Sequence, residues 1–484
     1  MLPADVRPDL AERYRQMRPF DQAEVALVRG LVARPQRLSL RAEQTLRWAL
    51  NLARLWVLER PEGSLPVGTK LAAFRHRARP FAEELLAAGP TPDPGRFEGW
   101  AARLEAEVSE ARSRLLTDFA GHLSAEHVDR ELRAKQLVLA LGGGGGCGYV
   151  HLGAFALLED IGLRPSLIVG ASMGAILGLF RARERAFREV RIRAVTQRLS
   201  YKRMFRLLDA ETRYAMPGAL RLHLRGTLAR FFTGPDGGPM RLEDLEIPFV
   251  SVVTGLEREA MRDVQRYERM FLAQLRKGAF ARLVHIKDLV QNVAALLQDL
   301  LATPGALTAI PLGHEPDTRA FDVIDAVGFS AAVPAILQYD ITREDARMHE
   351  LMRSTLDRYG VDVLADGGLV ANLPARAAWE HVQVGHLRTR NAFVLGLDCF
   401  APQLSRNVLF LPLQRVAAVN VARNVPFAQW VHRYRRVLSA TTLVPGRAAV
   451  DRAFHNGRIE LEGLGPFLRK MVEPLPERWG VHGD

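Results

Sequence analysis

One short segment of this 484-residue chain carries a pattern that suits acyl transfer. It is GASMG, a G-x-S-x-G pattern with Ser172 at its centre. The apolar run SLIV precedes it and AILGLF follows it, so the sequence predicts a strand, a sharp turn and a helix. Gly170 and Gly174 permit the tight turn that lifts a serine hydroxyl clear of the backbone. The segment is typical of a nucleophile elbow, with Ser172 as the nucleophile.

A run of five glycines follows the apolar run LVLAL, one predicted β-α unit upstream of Ser172. A serine nucleophile needs backbone N–H donors for the oxyanion of its tetrahedral intermediate. Glycines can present such donors without an obstructing side chain. We therefore predict an oxyanion hole formed by Gly143, Gly144, Gly145 and Gly146. A phosphate-binding P-loop would instead need Lys and then Ser or Thr after the glycines, where this chain has Cys-Gly-Tyr.

A serine hydroxyl also needs a base. The segment ADGGLVANLP begins at the end of another predicted strand, which places Asp366 on a turn beside the sheet edge. Asp366 is the predicted base. An ordinary Asp-Gly turn would have the same sequence, because that dipeptide is common in turns.

Two other nucleophile and base pairings remain open at this stage. In the first, Cys147 would be a thiol nucleophile and His151 its base. A Ser-His-Asp triad would need a histidine after the acid in chain order, as in other serine hydrolases. The histidines that follow Asp366 are His381, His386, His432, His455 and His482.

The elements that must position these residues fall into two regions. We predict that residues 1–134 form a helical region of unknown role and that 135–484 form the catalytic domain. In the first region, the segment at 42–58 has the apolar spacing of a helix, with Leu46, Ala49, Leu50, Ala53 and Val57 on one face. The segment at 97–123 has the same spacing, and the helix-breaking sequence GPTPDPG separates the two. The first region contains no catalytic motif, and its helices could mediate homo-oligomerisation.

From residue 135 short β-like runs alternate with helical stretches, which predicts an α/β fold with a mostly parallel central sheet flanked by helices. Such sheets place their chemistry at the carboxyl ends of the strands. A long helical pattern reads as an insertion at about 256–320. The predicted strands are 136–141, 166–170, 247–255, 321–327, 361–366 and 391–398.

Composition narrows the functional classes. The chain is 48% hydrophobic and 25% charged, as is usual for globular proteins with a sizeable core. It has only two cysteines, which excludes a disulfide framework and suits a reducing compartment. We find no secretory signal pattern and no apolar stretch long enough for a transmembrane helix. These features predict a cytoplasmic protein.

The net charge of +12 favours an anionic partner. Residues 181–206 hold ten Lys and Arg residues and only two acidic residues, interspersed with apolar ones. This mixture predicts peripheral association with an anionic membrane surface, although a solvated basic helix would have the same composition. No recognisable nucleic-acid module accompanies the charge, so we expect no nucleic-acid partner. The membrane-facing candidates are Arg188, Arg191, Arg193 and Arg198.

The glycine run, the elbow and the Asp-Gly-Gly segment together resemble the patatin-like phospholipase family. Weaker similarities, IPFVSVVTG and FSAAVPAIL, fall between them in the same order. The resemblance covers about 135–400 and does not extend to 1–134 or to the insertion. It implies a patatin-like α/β fold and a Ser-Asp dyad in which Ser172 attacks an ester carbonyl and Asp366 takes its proton.

The resemblance also implies the ligands of the protein. The expected substrates are phospholipids, lysophospholipids or acylglycerols, and no metal or organic cofactor is implied. His151 matches a histidine at the end of the family's glycine motif, where it would support the structure. The family usually has Arg or Lys in place of Cys147. A lipid-binding scaffold that retains the fold without catalysis is the alternative from another functional class.

Overall fold

The computed structural model describes residues 7–196, 200–207, 212–216, 218–257, 306–401 and 411–480. The chain divides into two compact units. The first consists of Met1–Val138, Trp379–Val394 and Gly463–Asp484, and the second of Leu139–Ala378 and Leu395–Glu462. The two later segments of the first unit lie in the part that the sequence patterns assign to the catalytic domain.

The N-terminal part of the first unit is mostly helical and surrounds its own hydrophobic core. Large side chains such as Phe20, Trp48 and Phe81 are almost completely buried in that core. Ser39 caps one helix by accepting a hydrogen bond from the N–H of Ala42. The elements are α1 (Pro8–Ala33), α2 (Leu40–Arg54), β1 (Val57–Arg60), β2 (Gly63–Pro66), α3 (Ala72–Ala87), α4 (Glu98–Asp118) and α5 (Ala125–Arg133).

The N-terminal region is helical as predicted, apart from one short hairpin that the sequence pattern did not predict. The helix predicted over 42–58 ends at Arg54, and Val57 lies in an antiparallel hairpin where it pairs with Pro66. The turn between these strands contains Pro-Glu-Gly, and Gly63 takes a φ of 122°, which favours glycine. The remaining residues of the predicted apolar face, Leu46, Ala49, Leu50 and Ala53, are buried as predicted.

A buried ionic network in the first unit holds the residue that leads into the central sheet. The ammonium of Lys135 donates to Oε1 of Glu24 at 2.5 Å and to Oδ1 of Asn51 at 2.8 Å. Desolvation raises the pKa of Glu24, but the charges of Lys135, Arg54 and Arg47 outweigh that effect and hold the pKa below its usual value. A buried charge needs such partners, and the first unit supplies them to Lys135.

The central sheet has seven strands within the described residues. A smaller three-stranded sheet lies in the second unit. The strands are β3 (Gln136–Leu141), β4 (Leu167–Ala171), β5 (Phe205–Leu207), β6 (Gly218–Leu222), β7 (Phe249–Glu257), β8 (Leu307–Leu312), β9 (Ala335–Gln338), β10 (Val361–Ala365), β11 (Ala392–Asp398) and β12 (Trp430–Arg433). The central order is β10-β7-β4-β3-β11-β12 with β8 also paired to β7, and the small sheet is β5-β6-β9.

Strand β7 brings two other strands together end to end. Strand β4 runs parallel to β7, with Ala171 opposite Val252. Strand β10 runs antiparallel to β7, with Ala365 opposite Thr254. Because β8 occupies the other edge of β7 over the same residues, β4 and β10 share one edge and run towards each other. The residue after each strand therefore lies near the same point of β7.

The remaining described helices lie between and after these strands in the sequence. They are α6 (His151–Asp160), α7 (Met173–Ala182), α8 (Glu189–Thr196), α9 (Tyr201–Met204), α10 (Leu224–Leu228), α11 (Val323–Ser330), α12 (Ala346–Tyr359), α13 (Gly368–Ala371), α14 (Ala375–Gln383), α15 (Leu411–Asn424), α16 (Arg447–Glu462) and α17 (Gly465–Val472). None of the described helices is long and apolar enough to cross a membrane.

One predicted strand, 321–327, is a helix instead. Helix α11 is buried on all sides, and a short apolar run has the same appearance in a buried helix as in a buried strand. Its carboxylate Asp325 is fully buried and accepts hydrogen bonds from Tyr339 at 2.6 Å and Arg343 at 2.7 Å. An edge position of the sheet is taken by β8, which lies within the range predicted as an insertion. Residues 258–305 of that range lie outside the described residues.

Candidate active site

Ser172 occupies a strained turn between β4 and α7. Its φ of 52° and ψ of −126° are unusual for a residue with a side chain and are typical of functional turns. A Cβ on Gly174 would lie 2.4 Å from the carbonyl oxygen of Leu141, and one on Gly170 would lie 2.6 Å from Cα of Ala175. Both glycines of the pattern are therefore required for the close packing of strand, turn and helix.

Ser330 holds the backbone of this turn in place. The N–H of Ser172 donates to Oγ of Ser330 at 2.9 Å, and the Ser330 hydroxyl donates to the carbonyl of Val252 at 2.6 Å. Ser330 is fully buried at the end of α11. Our sequence reasoning missed this residue, although it lies in the FSAAVPAIL segment. Nothing local marks its role, since its partners are about 80 and 160 residues away in the chain.

Asp366 follows β10 and is 5% exposed. Its Oδ1 accepts a hydrogen bond from the N–H of Gly368 at 2.7 Å, whereas Oδ2 has no hydrogen-bond partner among the described residues. Its backbone is fixed as well, because its carbonyl accepts from the hydroxyl of Thr254 at 2.7 Å. A Cβ on Gly367 would lie 2.0 Å from the carbonyl oxygen of Val252, so only glycine fits beside β7 at that position.

The environment of Asp366 makes its carboxyl a weak acid. Burial raises its pKa to about 6, while the Ser172 hydroxyl and the N–H of Gly368 act in the opposite direction. The Ser172 hydroxyl thus favours the ionised carboxyl, although no hydrogen bond of ordinary geometry joins the two side chains. Such contacts commonly tighten only when substrate is bound. A base with this pKa would be ionised at neutral pH.

The glycine run lies directly against Ser172. A Cβ on Gly143 would be 2.7 Å from Cβ of Ser172. Two of the four glycines predicted for the oxyanion hole already use their N–H groups, because Gly143 donates to the carbonyl of Asn372 and Gly146 donates to that of Ala440, both at 3.1 Å. The N–H groups of Gly144 and Gly145 have no partner among the described residues. Their φ values, 138° and 56°, also favour glycine.

His151 and Cys147 both have structural surroundings. The Nε2 atom of His151 lies 2.9 Å from the carbonyl oxygen of Gly142, and burial lowers the pKa of the imidazole to about 4. The neutral ring can therefore donate to that carbonyl. Burial raises the pKa of Cys147 to about 12, and its thiol donates to the carbonyl of Leu438 at 3.2 Å. A thiol that remains protonated is a poor nucleophile.

The histidines considered for a triad lie elsewhere. No hydrogen bond within the described residues joins a histidine to Ser172 or Asp366. The rings of His381 and His386 are 4.5 Å apart in the first unit. The others are His432 in β12, exposed His455 in α16, and His482, which is outside the described residues.

The predicted membrane-facing residues are only partly described. The Arg188 side chain is 71% exposed, and its Nε atom lies 3.7 Å from Oε2 of Glu184. Arg191 and Arg193 lie in α8, but their side chains are outside the described part of the structure, and Arg198 is outside it entirely. Arg181, from the same basic stretch, is instead buried and donates to the carbonyls of Glu184 and Arg185. It therefore supports the fold and faces no membrane.

A small apolar cavity begins beside the elbow. It encloses about 30 Å³, and Met173, the residue after Ser172, forms part of its wall. Ile192 and Val195 from α8 and Met204 from α9 also contribute, so the basic segment covers this cavity with its apolar side. The other lining residues are Tyr149, Ile176, Leu177, Phe180, Leu224 and Leu228.

Comparison with known proteins identifies a family domain in this chain. The family model described as "Patatin-like phospholipase" matches residues 139–379. This range contains the glycine run, the elbow and the Asp-Gly-Gly segment. The chain therefore carries a patatin-like phospholipase domain, and the α/β fold expected from the resemblance is confirmed.

Individual relatives match over shorter stretches. The chain is 28% identical over 218 residues to patatin-like phospholipase domain-containing protein 6 of Homo sapiens, which is 41% of this chain and 15% of that protein. It is 26% identical over 141 residues to patatin-like phospholipase domain-containing protein 7 of Rattus norvegicus. That match covers 29% of this chain and 10% of the relative. An uncharacterized NTE family protein of Mycobacterium tuberculosis is 34% identical over 123 residues, covering 25% of this chain and 32% of that protein. The matches thus span only a small part of the relatives' length.

We predict that Asp366→Asn stabilises the protein at alkaline pH. The folded-state pKa of about 6 exceeds the ordinary 3.8, so ionisation of the carboxyl begins to disfavour the folded state above about pH 4 and does so fully above about pH 6. The difference corresponds to on the order of 2–3 kcal/mol in the free energy of unfolding. Urea unfolding at pH 8 should show that gain for the variant.

The gain should shrink as the pH falls from about 6 towards 4, because the wild-type carboxyl then becomes neutral in the folded state too. An equal gain at both ends of this range would mean that the amide stabilises the site by another interaction. No gain at pH 8 would mean that the ionised carboxylate is well accommodated.

Proposed function

We propose that the chain is a serine-dependent lipid acyl hydrolase with Ser172 as nucleophile and Asp366 as base. The observation that carries the proposal is the meeting of β4 and β10 along one edge of β7, which brings the residue after each strand to the same place. A strained serine and a buried carboxyl with a raised pKa therefore lie together beside a glycine loop. This arrangement suits acyl transfer through a covalent intermediate.

The reaction would proceed in two stages. Asp366 takes the proton of the Ser172 hydroxyl while Oγ attacks the ester carbonyl, and the tetrahedral intermediate collapses with loss of the alcohol, to which Asp366 returns the proton. A water molecule then attacks the acyl-enzyme carbonyl while Asp366 takes a proton from it. The second tetrahedral intermediate collapses with cleavage of the bond between Ser172 Oγ and the acyl group, Asp366 returns the proton to Oγ, and the fatty acid leaves. The same carboxyl serves as base and acid in each stage.

The oxyanion would be stabilised by Gly144 and Gly145, because these are the glycines of the loop whose N–H groups have no protein partner in the described residues. The N–H of Met173 is a further donor at the start of α7, where the helix dipole adds positive potential. Gly143 and Gly146 contribute through their close packing and not as donors in this conformation.

The apolar cavity beside Met173 supports a lipid substrate, such as a phospholipid, lysophospholipid or acylglycerol. An acyl chain could enter it from the elbow, where the lining side chains are almost entirely apolar. A space of about 30 Å³ holds only a small part of such a chain, so α8 and α9 would have to move outwards to admit it.

We also propose that α8 and α9 meet the membrane that holds the substrate. Val190 is 82% exposed and Tyr201 is 49% exposed, so both side chains are available to a lipid surface. Exposed Arg188, Lys202 and Arg203 lie along the same segment. Apolar and basic groups together suit an anionic lipid surface, where the apolar groups insert and the cations contact headgroups.

The first prediction of this proposal is that Ser172→Ala and Asp366→Ala each abolish ester hydrolysis. Each should lower kcat by roughly 10⁴-fold, and the double variant should be little worse, because the two residues act as one unit. The assay would use a panel of lysophospholipids, phospholipids and a soluble short-chain ester, with circular dichroism to verify folding.

Matched controls are available on or next to the same strands. Ser166→Ala changes a serine just before β4, and Asp362→Asn changes an acid within β10. Both variants should remain active. Full activity of folded Ser172→Ala would exclude the proposed mechanism, and an inactive wild type that still binds lipid would favour the scaffold alternative.

The second prediction is that Lys202→Gln combined with Arg203→Gln weakens binding to anionic vesicles by about 10-fold or more, since each cation near such a surface contributes on the order of 1 kcal/mol. Vesicle sedimentation should show weaker binding as salt rises. Hydrolysis of a soluble ester should be unchanged.

The matched control is Arg353→Gln combined with Arg358→Gln, which removes the same charge from exposed positions of α12. This variant should bind vesicles nearly as well as the wild type. An equal loss in both variants would point to net charge alone, and salt-insensitive binding would contradict the electrostatic contribution.

A further inference from the structure

A buried cysteine contacts the glycine loop from the side of β11. Cys399 directly follows that strand and is 1% exposed. Its thiol donates to the carbonyl oxygen of Gly143 at 3.2 Å and lies 3.5 Å from that of Gly142. Asp398 supports this turn, since its Oδ1 accepts from the N–H of Phe400 at 3.1 Å. The Phe400 ring in turn packs against Gly144, where a Cβ would lie 2.7 Å from Cδ2 of the ring.

The neighbouring peptide units are each held by other groups. The unit joining Gly142 to Gly143 is fixed at both ends. The Nε2 atom of His151 contacts the carbonyl of Gly142, and the N–H of Gly143 donates to the carbonyl of Asn372. The unit joining Gly144 to Gly145 has its carbonyl bound by the N–H of Cys147 at 3.2 Å. In the unit joining Gly143 to Gly144, the carbonyl accepts a hydrogen bond from the Cys399 thiol, which is the polar contact that the described residues supply to this unit.

The orientation of that peptide unit decides where the Gly144 N–H points. In a trans peptide the C=O of one residue and the N–H of the next point in opposite directions. A peptide between two glycines can rotate easily, because neither residue has a Cβ to restrict it. A donor on the Gly143 carbonyl therefore keeps the Gly144 N–H turned to the opposite side.

We propose that Cys399 is a positioning residue of the oxyanion hole, which it serves by holding the Gly143 carbonyl so that the Gly144 N–H remains available to the oxyanion. This inference rests on the proposed acyl-hydrolase function. In this role Cys399 acts through the peptide unit and not on the substrate or the reacting atoms.

The thiol is suited to this task because it remains protonated. Burial raises the pKa of Cys399 well above its ordinary value, and nearby Cys147 and Asp398 act in the same direction. A thiolate could not donate and would repel the carbonyl oxygen. The thiol is a weak donor that fits the long contact distance of sulfur.

The test compares side chains by donor capacity and by size. Cys399→Ala and Cys399→Val remove the donor, with a smaller and a larger side chain respectively, whereas Cys399→Ser retains one. We expect the alanine and valine variants to lower kcat by roughly three- to tenfold with little change in KM, as for loss of one modest hydrogen bond. The serine variant should keep kcat within about twofold. Rates of Ser172 labelling by a fluorophosphonate should follow the same order.

The matched control is Cys147→Ala, which removes the other buried thiol, whose partner is the carbonyl of Leu438. It should stay within about twofold of wild type. Fully active alanine and valine variants beside an active wild type would overturn this inference alone, as would a serine variant as slow as alanine. A wild type without esterase activity, or an active Ser172→Ala, would overturn the proposed function and this inference with it.

Discussion

The site depends on the way in which two strands share one edge of β7. Strand β4 arrives parallel to β7 and β10 arrives antiparallel, so their carboxyl ends face each other near Val253. Ser172 and Asp366 are simply the residues that come next. Thr254, which lies in β7, fixes the turn of Asp366 by donating to its backbone carbonyl. Ser330 fixes the turn of Ser172, because its hydroxyl accepts from the N–H of Ser172 and donates to a carbonyl of β7. Any change in the pairing register of β10 would move the carboxyl away from the serine.

Around the point where β4 and β10 meet, glycines allow neighbouring segments to pack more closely than side chains would permit. A Cβ on Gly143, Gly174 or Gly367 would overlap Ser172, Leu141 or Val252 respectively. This packing buries Asp366 and raises its pKa to about 6, which reduces stability at neutral pH, where the carboxyl is ionised. The same closeness lets loops from β11 and from residues 439–440 determine which glycine N–H groups remain available.

The sequence was sufficient for the local parts of this arrangement. The elbow could be predicted because GASMG and its flanking runs lie together in the chain, and the position of Asp366 followed from the strand before it. The antiparallel direction of β10 could not be predicted, since nothing in VDVLAD indicates direction. The division among the glycines depends on Asn372 and Ala440, which are distant in sequence. The apolar run at 321–327 fitted a strand as well as the buried helix that it forms.

The central claim is that ionisation of Asp366 controls the nucleophilicity of Ser172. The most direct measurement is the rate of Ser172 labelling by a fluorophosphonate between about pH 4 and pH 9, beside the titration of the Asp366 carboxyl by carbon-13 NMR with Asp366→Asn to assign its signal. Both curves should share one midpoint near pH 6, with faster labelling above it. A labelling rate that does not change across this midpoint, or that follows a different group while Asp366 titrates near pH 6, would contradict the dyad.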